Sequence, residues 1–302
     1  MAVPVVLFVY NRFDHTERVL DTLAKNLLAK ETDLYIFSDA SKSEKGKDAV
    51  EKVRTCIHKE EWNSFFRSIT ITEAEKNKGL ATSIIGGVTE VINKYGKVIV
   101  LEDDLILSKY FLKYMNGALD FYEAEEDIWS ISGYSFPMKS LKKYPHDVFY
   151  SYRGCSWGWG TWADRWEKSD WEVKDYDEFV QDSKWQKHFN RGGGDLTHML
   201  ELQRTGVIDS WAIRWVFTQS NLNMYTIYPK DSYLENDGCD GSGTNSGTHQ
   251  EFVTELQEKK SDIKFECVGL DSSITREFYR KYTDTLDKKI KRKIIKLFGE
   301  KK

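Results

Sequence analysis

The run from Val3 to Tyr10 is almost wholly apolar and turns polar at Asn11, the pattern of a strand covered on both faces. Asp14-x-x-Glu17 then reads as a capping box opening a helix whose Leu20, Leu23 and Leu27 share one face. Leu34 to Phe37 predicts a second strand ending at Ser38-Asp39, and a helix through Val50 and Ile57 follows it. A third strand falls at Ser68 to Thr72. Gly79 leads the next helix, which turns Ile84, Ile85, Val88, Val91 and Ile92 inward, and Lys97-Val-Ile-Val-Leu101 is the fourth strand. The order β-α-β-α-β-α-β predicts an α/β fold with a doubly wound parallel sheet.

The fourth strand ends on three consecutive carboxylates, Glu102, Asp103 and Asp104. Ligands of open α/β sheets gather at the carboxyl ends of such strands. An unpaired buried ion costs several kcal/mol, so the cluster calls for a cation. A divalent metal carrying a phosphorylated ligand answers that call, the plainer alternative being a solvated acidic turn. No glycine precedes Gly46, which excludes G-x-G-x-x-G, a Walker loop and the glycine-rich opening of sugar nucleotidyltransferases after the first strand.

At 302 residues, 40% hydrophobic and 30% charged, the chain can bury a large core as one big domain or two fused subdomains. Cys56, Cys155, Cys239 and Cys267 form no C-x-x-C pair or disulfide framework, which suits a reducing compartment without structural zinc. The start has no basic signal-peptide region and no 18-residue apolar run occurs, so neither standard secretion nor a membrane span is expected. Residues 288–302 carry eight Lys or Arg against one Glu, leaving about −11 on the rest of a chain whose net charge is −4. Ile290, Ile294, Leu297 and Phe298 recur there at helical spacing. That is the pattern of a basic amphipathic tail that lies on an anionic membrane surface, the alternative being a solvated or disordered end. Nucleic acid is not an expected partner, because the body that would face it is acidic.

Four segments carry a family resemblance: Phe8-Val-Tyr-Asn-Arg12, Phe37-Ser-Asp39, Val100-Leu-Glu-Asp-Asp-Leu105 and Val207-Ile-Asp-Ser-Trp211, with Phe111, Tyr114 and Trp129-Ser-Ile-Ser-Gly133 fitting between. In this ordered set, over about residues 3 to 253, the chain resembles a GT-A fold glycosyltransferase. It is similar to the N-acetylglucosaminyltransferase I type and to bacterial surface-polysaccharide glycosyltransferases that share the acid motif. The resemblance implies a Rossmann-like nucleotide-binding sheet fused to an acceptor-binding subdomain. The expected boundaries are 1–135 for the nucleotide-sugar half, 136–287 for the acceptor-binding and catalytic half, and 288–302 for the tail.

Carried over by position, the resemblance implies that Arg12 and Asp39 contact the nucleotide and that Glu102 and Asp103 hold donor hydroxyls. Asp104 would be the direct protein ligand of Mn2+ or Mg2+, and Asp209 the catalytic base of an inverting, metal-dependent transfer from a UDP-linked donor. The acceptor would be a saccharide or lipid-linked glycan in bacterial surface glycan synthesis, with the enzyme cytoplasmic and peripheral at the inner face of the membrane. Each residue also has a plainer reading: a helix-capping surface residue at Arg12, the start of a turn at Asp39, a structural N-cap at Asp209. The family pattern often has an aromatic before the base and a second Asp after it. Here Ile208 and Ser210 stand in those places.

Eight of the ten Trp fall between Trp157 and Trp215. Ser156-Trp-Gly-Trp-Gly-Thr-Trp162 sets rigid rings among glycines, so Trp157 or Trp159 is expected to line a sugar pocket, the rest forming a Trp-rich core. The glycine-rich stretch Asn236 to His249 is expected to be a mobile loop that orders over bound donor, with His249 reaching the diphosphate or metal or else a bystander. Arg191-Gly-Gly-Gly194 reads as a second flexible link, the alternative being only a connector between helices. Two other classes remain open: a sugar-nucleotide nucleotidyltransferase, and a non-catalytic carbohydrate-binding protein.

Overall fold

The computed structural model describes residues 2–238, 254–258 and 262–283. The predicted alternation is present: β1 (Val5–Val9), α1 (Phe13–Ala24), β2 (Asp33–Ser38), α2 (Lys47–Ile57), β3 (Ser68–Glu73), α3 (Leu80–Tyr95) and β4 (Lys97–Glu102). All five residues of β1 are buried, as its apolar run requires, whereas β3 at the sheet edge is partly exposed along its length. Strands β3, β2, β1 and β4 lie side by side and parallel.

The chain then adds β5 (Leu105–Leu107), α4 (Phe111–Phe121), β6 (Ile128–Ser132), β7 (Val148–Ser151) and β8 (Trp159–Trp162). Helices α5 (Ala163–Trp166), α6 (Tyr176–Phe179), α7 (Ser183–Phe189), α8 (Leu196–Arg204) and α9 (Trp211–Asn221) follow, then β9 (Tyr225–Pro229), β10 (Leu234–Asn236) and α10 (Ser272–Lys281). One eight-stranded sheet results, ordered β3-β2-β1-β4-β8-β6-β9-β7, with β5 and β10 in a separate ribbon. The sheet is mixed rather than wholly parallel, because β8 runs antiparallel to both β4 and β6, and β7 antiparallel to β9.

The Trp-Gly-Thr-Trp segment is therefore a strand. Its alternation sends Trp159 to one face of the sheet, against Trp211 and Trp215, and Trp162 to the other. Helices α1, α2 and α4 cover the second face, while α3 and α9 cover the first. Gly87 lets α3 approach closely, since a Cβ there would meet the rings of Phe8 at 2.9 Å and Phe37 at 3.1 Å. A third cluster joins Phe179, Phe189, Leu196 and Leu200 to the outer side of α9 through Ile213 and Phe217.

Three local expectations are corrected. The capping box does not form: Arg12 is the N-cap residue of α1 and makes no side-chain cap, so Asp14 lies inside the first turn, and Glu17 accepts a hydrogen bond from Lys59 Nζ at 2.5 Å. Leu20 and Leu23 are buried, but α1 stops at Ala24 and leaves Leu27 54% exposed. Arg191 to Gly194 is no slack link. A Cβ at Gly193 would meet Asp195 Oδ1, Arg153 Nη1 and Tyr282 Cβ at 2.6 to 2.7 Å, so the glycines pack against the Arg153–Asp195 ion pair and the end of α10.

Candidate active site

Because β8 opposes both of its neighbours, β1, β2, β4 and β6 all point their carboxyl ends to one edge of the sheet. That edge receives Arg12 after β1, Asp39 after β2, the acid triplet at the end of β4, and Gly133-Tyr134 after β6. The amino end of β8 arrives there too. The β4–β8 pairing ends at Val100↔Trp159, and just before it the Trp157 ring meets Tyr134 edge-on at 4.7 Å. Gly158, at φ 55, makes the turn between the half-buried Trp157 and the strand, a conformation that favours glycine. Trp157 thus stands at the rim, while Trp159 is wholly buried and belongs to the core.

The triplet is held by one guanidinium. Arg12 Nη2 donates to Asp103 Oδ1 and to Asp104 Oδ2, the latter at 3.0 Å. Burial works against the Arg12 charge, but the two aspartates outweigh it and hold its pKa above the ordinary value. Burial likewise raises the Asp103 pKa, with Arg12 pulling the other way. The Glu102 carboxyl hydrogen-bonds to none of the described residues, and burial, reinforced by Asp104 and Asp103, pushes it up to about 8.

Asp104 is overlain by the end of β10. The Asp237 N–H donates to the Asp104 carbonyl (2.8 Å), and Asn236 Nδ2 lies 3.4 Å from Asp104 Oδ1. Gly238 sits so near Asp104 Oδ2 that a Cβ would collide with it. Asp237 is in turn paired with Arg18 and lies 3.5 Å from His15 Nδ1, both on α1. Neither contact announces itself in the sequence, because Asp237 is 222 positions from His15 and 219 from Arg18.

These donors fit a divalent ion. Three adjacent carboxyl groups meet one guanidinium among the described residues, the Glu102 carboxyl accepts no hydrogen bond from them, and hard oxygen ligands suit Mg2+ or Mn2+. No ready-made group of three His, Cys, Asp or Glu ligands occurs among the described residues. An ion of this kind takes one or two carboxylates and completes its shell with substrate phosphate and water. His249 and most of the glycine-rich stretch lie outside the described residues, as does the tail 288–302.

Two further carboxylates meet at the start of α3. Asp39 Oδ1 accepts from the N–H groups of Ala40 (2.8 Å) and Lys78 (2.9 Å), and Oδ2 from Gly79 N–H and Asn77 Nδ2, both at 3.0 Å. So Asp39 anchors the Asn77-Lys78-Gly79 turn to the carboxyl end of β2. Asp209 is exposed, and its Oδ2 accepts from the Ala81 N–H at 3.3 Å. The N-cap of α9 is Ser210, whose Oγ accepts from Ile213 N–H (3.3 Å), so Asp209 is not needed to cap that helix. Helix α3 presents the positive end of its dipole to both aspartates. The structure thereby brings Arg12, Asp39, Glu102, Asp103, Asp104, Trp157 and Asp209 to one side of the sheet, in two groups: Arg12 with the triplet, and Asp39 with Asp209.

No family model and no curated protein matches this chain. Among solved structures it is similar to residues 1–349 of S. aureus TarS, at 15% identity over 79% of this chain and 61% of that one, with a TM-score of 0.42. It is also similar to the mannosyltransferase PcManGT from Pyrobaculum calidifontis in complex with GDP-Man and Mn2+, at 11% identity over 73% of this chain and 69% of that one, with a TM-score of 0.41. Against another structure of S. aureus TarS the match covers 41% of this chain and only 20% of that one, at 20% identity and a TM-score of 0.30. Likeness at this level assigns no role to any residue.

Proposed function

We propose that the chain is a metal-dependent inverting glycosyltransferase that moves a sugar from a nucleoside diphosphate donor to a saccharide acceptor. The observation that carries this reading is the acid triplet, three adjacent carboxyl groups that meet one guanidinium among the described residues at the carboxyl end of a central strand. The reading gives Asp104 to the cation, with Glu102 and Asp103 placed to accept hydrogen bonds from donor hydroxyls, and Arg12 beside them as an anion partner. A divalent ion there would act as a Lewis acid on the departing diphosphate. Asp39 positions the turn that leads into α3 and so shapes the nucleotide end of the pocket. Trp157 and Tyr134 offer ring faces and edges on which sugar C–H groups pack.

Asp209 is given the base. Its Oδ2 is steadied by the Ala81 amide, and its Oδ1 hydrogen-bonds to none of the described residues. As the acceptor oxygen bonds to the anomeric carbon, its proton passes to Asp209 while the bond from that carbon to the diphosphate oxygen breaks. Attack from the side opposite the leaving group inverts the anomeric centre.

The competing classes account for less. A nucleotidyltransferase would need the glycine-rich opening that is missing before Gly46. A binding module built on the tryptophans would need them at the surface, whereas Trp129, Trp159, Trp162, Trp211 and Trp215 are fully buried. The direct test is a thermal-shift and calorimetric screen of UDP, GDP and their sugar conjugates with and without Mn2+, since a ligand of the native state raises its apparent stability. Metal-dependent binding of one nucleotide, followed by its release from the sugar conjugate when an acceptor is added, supports the proposal. Indifference to every nucleotide in both conditions ends it.

We further propose a lipid-linked acceptor and attachment to the inner face of a membrane through the basic residues 288–302. No helix among the described residues is long and apolar enough to cross a bilayer. Each basic residue near an anionic surface is worth about 1 kcal/mol. Deleting residues 288–302 is therefore expected to release the protein from phosphatidylserine vesicles in a sedimentation assay and to leave turnover on a soluble acceptor intact. Unchanged sedimentation would remove the tail from the argument.

A further inference from the structure

Arg12 grips the acid cluster by one nitrogen. Nη2 makes both hydrogen bonds, to Asp103 and to Asp104, while Nη1 is buried with no acceptor among the described residues. A guanidinium is a planar fork whose two ends suit the paired oxygens of a carboxylate or phosphate, so this fork is only half used. The backbone beneath it is pinned, because both the N–H and the Oγ1 of Thr16 donate to the Arg12 carbonyl at 2.9 Å. Any movement of the charge must therefore come from the side chain swinging about a fixed base.

The oxygens that Arg12 occupies, Asp103 Oδ1 and Asp104 Oδ2, belong to the carboxylates a cation would need. A guanidinium and a divalent ion on the same oxygens repel each other, most strongly where water is scarce. If a cation entered alone and took the Asp104 oxygen, Arg12 would keep only Asp103 and stand half-buried beside a second positive charge. If Arg12 left alone, three carboxylates would face one another with no positive charge among them. A nucleoside diphosphate arriving with the cation resolves both conflicts at once, since its oxygens take the guanidinium and the cation takes the carboxylates.

We infer that Arg12 is a positioning residue that occupies the Asp103 and Asp104 carboxylates in the ligand-free protein and exchanges them for diphosphate, so that cation and nucleotide bind cooperatively. The inference rests on the glycosyltransferase reading of this site. It adds that Arg12 competes with a metal for the Asp103 and Asp104 oxygens until a diphosphate draws it away. Because binding couplings are reciprocal, the nucleotide should tighten Mn2+ by the same factor as Mn2+ tightens the nucleotide.

The test measures Mn2+ affinity by electron paramagnetic resonance of the free ion, with UDP and GDP each absent or saturating. In the unmodified protein one of the nucleotides is expected to tighten Mn2+ by about tenfold or more, within the usual range of such couplings. In Arg12→Gln, Mn2+ alone should bind at least about fivefold tighter than in the unmodified protein, and the tightening by nucleotide should shrink by the same factor, leaving only the part that comes from direct phosphate ligation. Arg12→Lys, which keeps the charge but loses the fork, should fall between the two. Melting curves establish that each variant is folded. If the unmodified protein shows no coupling, or if folded Arg12→Gln binds Mn2+ no more tightly, the exchange is refuted. Should Asp104→Asn still remove the metal dependence of nucleotide binding in that case, the reading of the site survives without it. Failure of every form to bind Mn2+ with either nucleotide would overturn both.

Discussion

Asp209 illustrates how far a single residue could be read before the fold was known. Its type and its place before Ser210-Trp211 marked it either as a base or as a helix cap, and the sequence left both open. The structure gives the cap of α9 to Ser210 and leaves one Asp209 oxygen without a hydrogen bond to any described residue. If it is the base, Asp209→Asn should bind donor as before and lose about two to four orders of magnitude in turnover, the range of general-base catalysis. Calorimetry and a nucleotide-release assay on the same preparation check the two halves of that statement, and retained turnover would assign the base elsewhere. Arg12 is the opposite case. Nothing in Asn11-Arg12-Phe13 shows that its charge will be spent on residues 91 and 92 positions away, because that pairing exists only once β1 and β4 are neighbours.

Among elements, those with a clear period were legible and the Trp-rich one was not. An unbroken apolar run or a 3.6-residue repeat declares a strand or a helix locally, as β1, β2, β4 and α3 show. Trp-Gly-Thr-Trp declares neither, since its identity as β8 depends on β4 and β6 standing on either side of it. Trp159 is fixed there between Trp211 at 4.9 Å and Trp215 at 4.5 Å, so Trp159→Ala should cost about 3–5 kcal/mol in denaturant unfolding. Its indole N–H finds no acceptor among the described residues, so Trp159→Phe gives up no hydrogen bond and should cost clearly less. Equal losses for the two substitutions would contradict this packing. At the other end of the sheet, Asp33 ties β2 to β3 and α3 by accepting from Arg67 Nε (2.8 Å), Ser68 Oγ (2.6 Å) and the Tyr95 hydroxyl (3.0 Å).

The hydrogen bonds from Arg67 hold the Asp33 pKa well below the ordinary aspartate value of about 4, against the opposing effect of burial. A depressed carboxyl stabilises the fold above its unfolded-state pKa, and that contribution disappears as the pH falls through and below about 4. Melting temperatures measured from pH 6 down to pH 3 should therefore drop less steeply in Asp33→Asn than in the unmodified protein. A steeper or equal drop would mean that other carboxylates govern acid unfolding.

For the molecule as a whole, the predicted α/β architecture is present, but the sheet is continuous across the chain. Residues beyond 135 contribute β7, β8 and β9 to the same eight strands that begin with β1. Antiparallel β8 is what delivers Trp157 to the edge where the parallel strands end. The ribbon of β5 and β10 then folds over Asp104 and is fastened to α1 through Asp237. The acid site is thus walled by segments from both ends of the sequence, which accounts for its being both crowded and partly buried.

The sequence by itself determined the alternation of the first four strands and three helices, the place of the acid triplet at a strand end, and the absence of a glycine-rich phosphate loop. These are local properties, written in the spacing of apolar residues and in backbone chemistry within a few positions. Tertiary structure alone decided that one guanidinium holds two of the three carboxylates, that Asp39 and Asp209 share the start of α3, and which tryptophan reaches the rim. Each of those depends on which strands become neighbours, and strand order is set by burial of whole faces against one another rather than by any short stretch of chain.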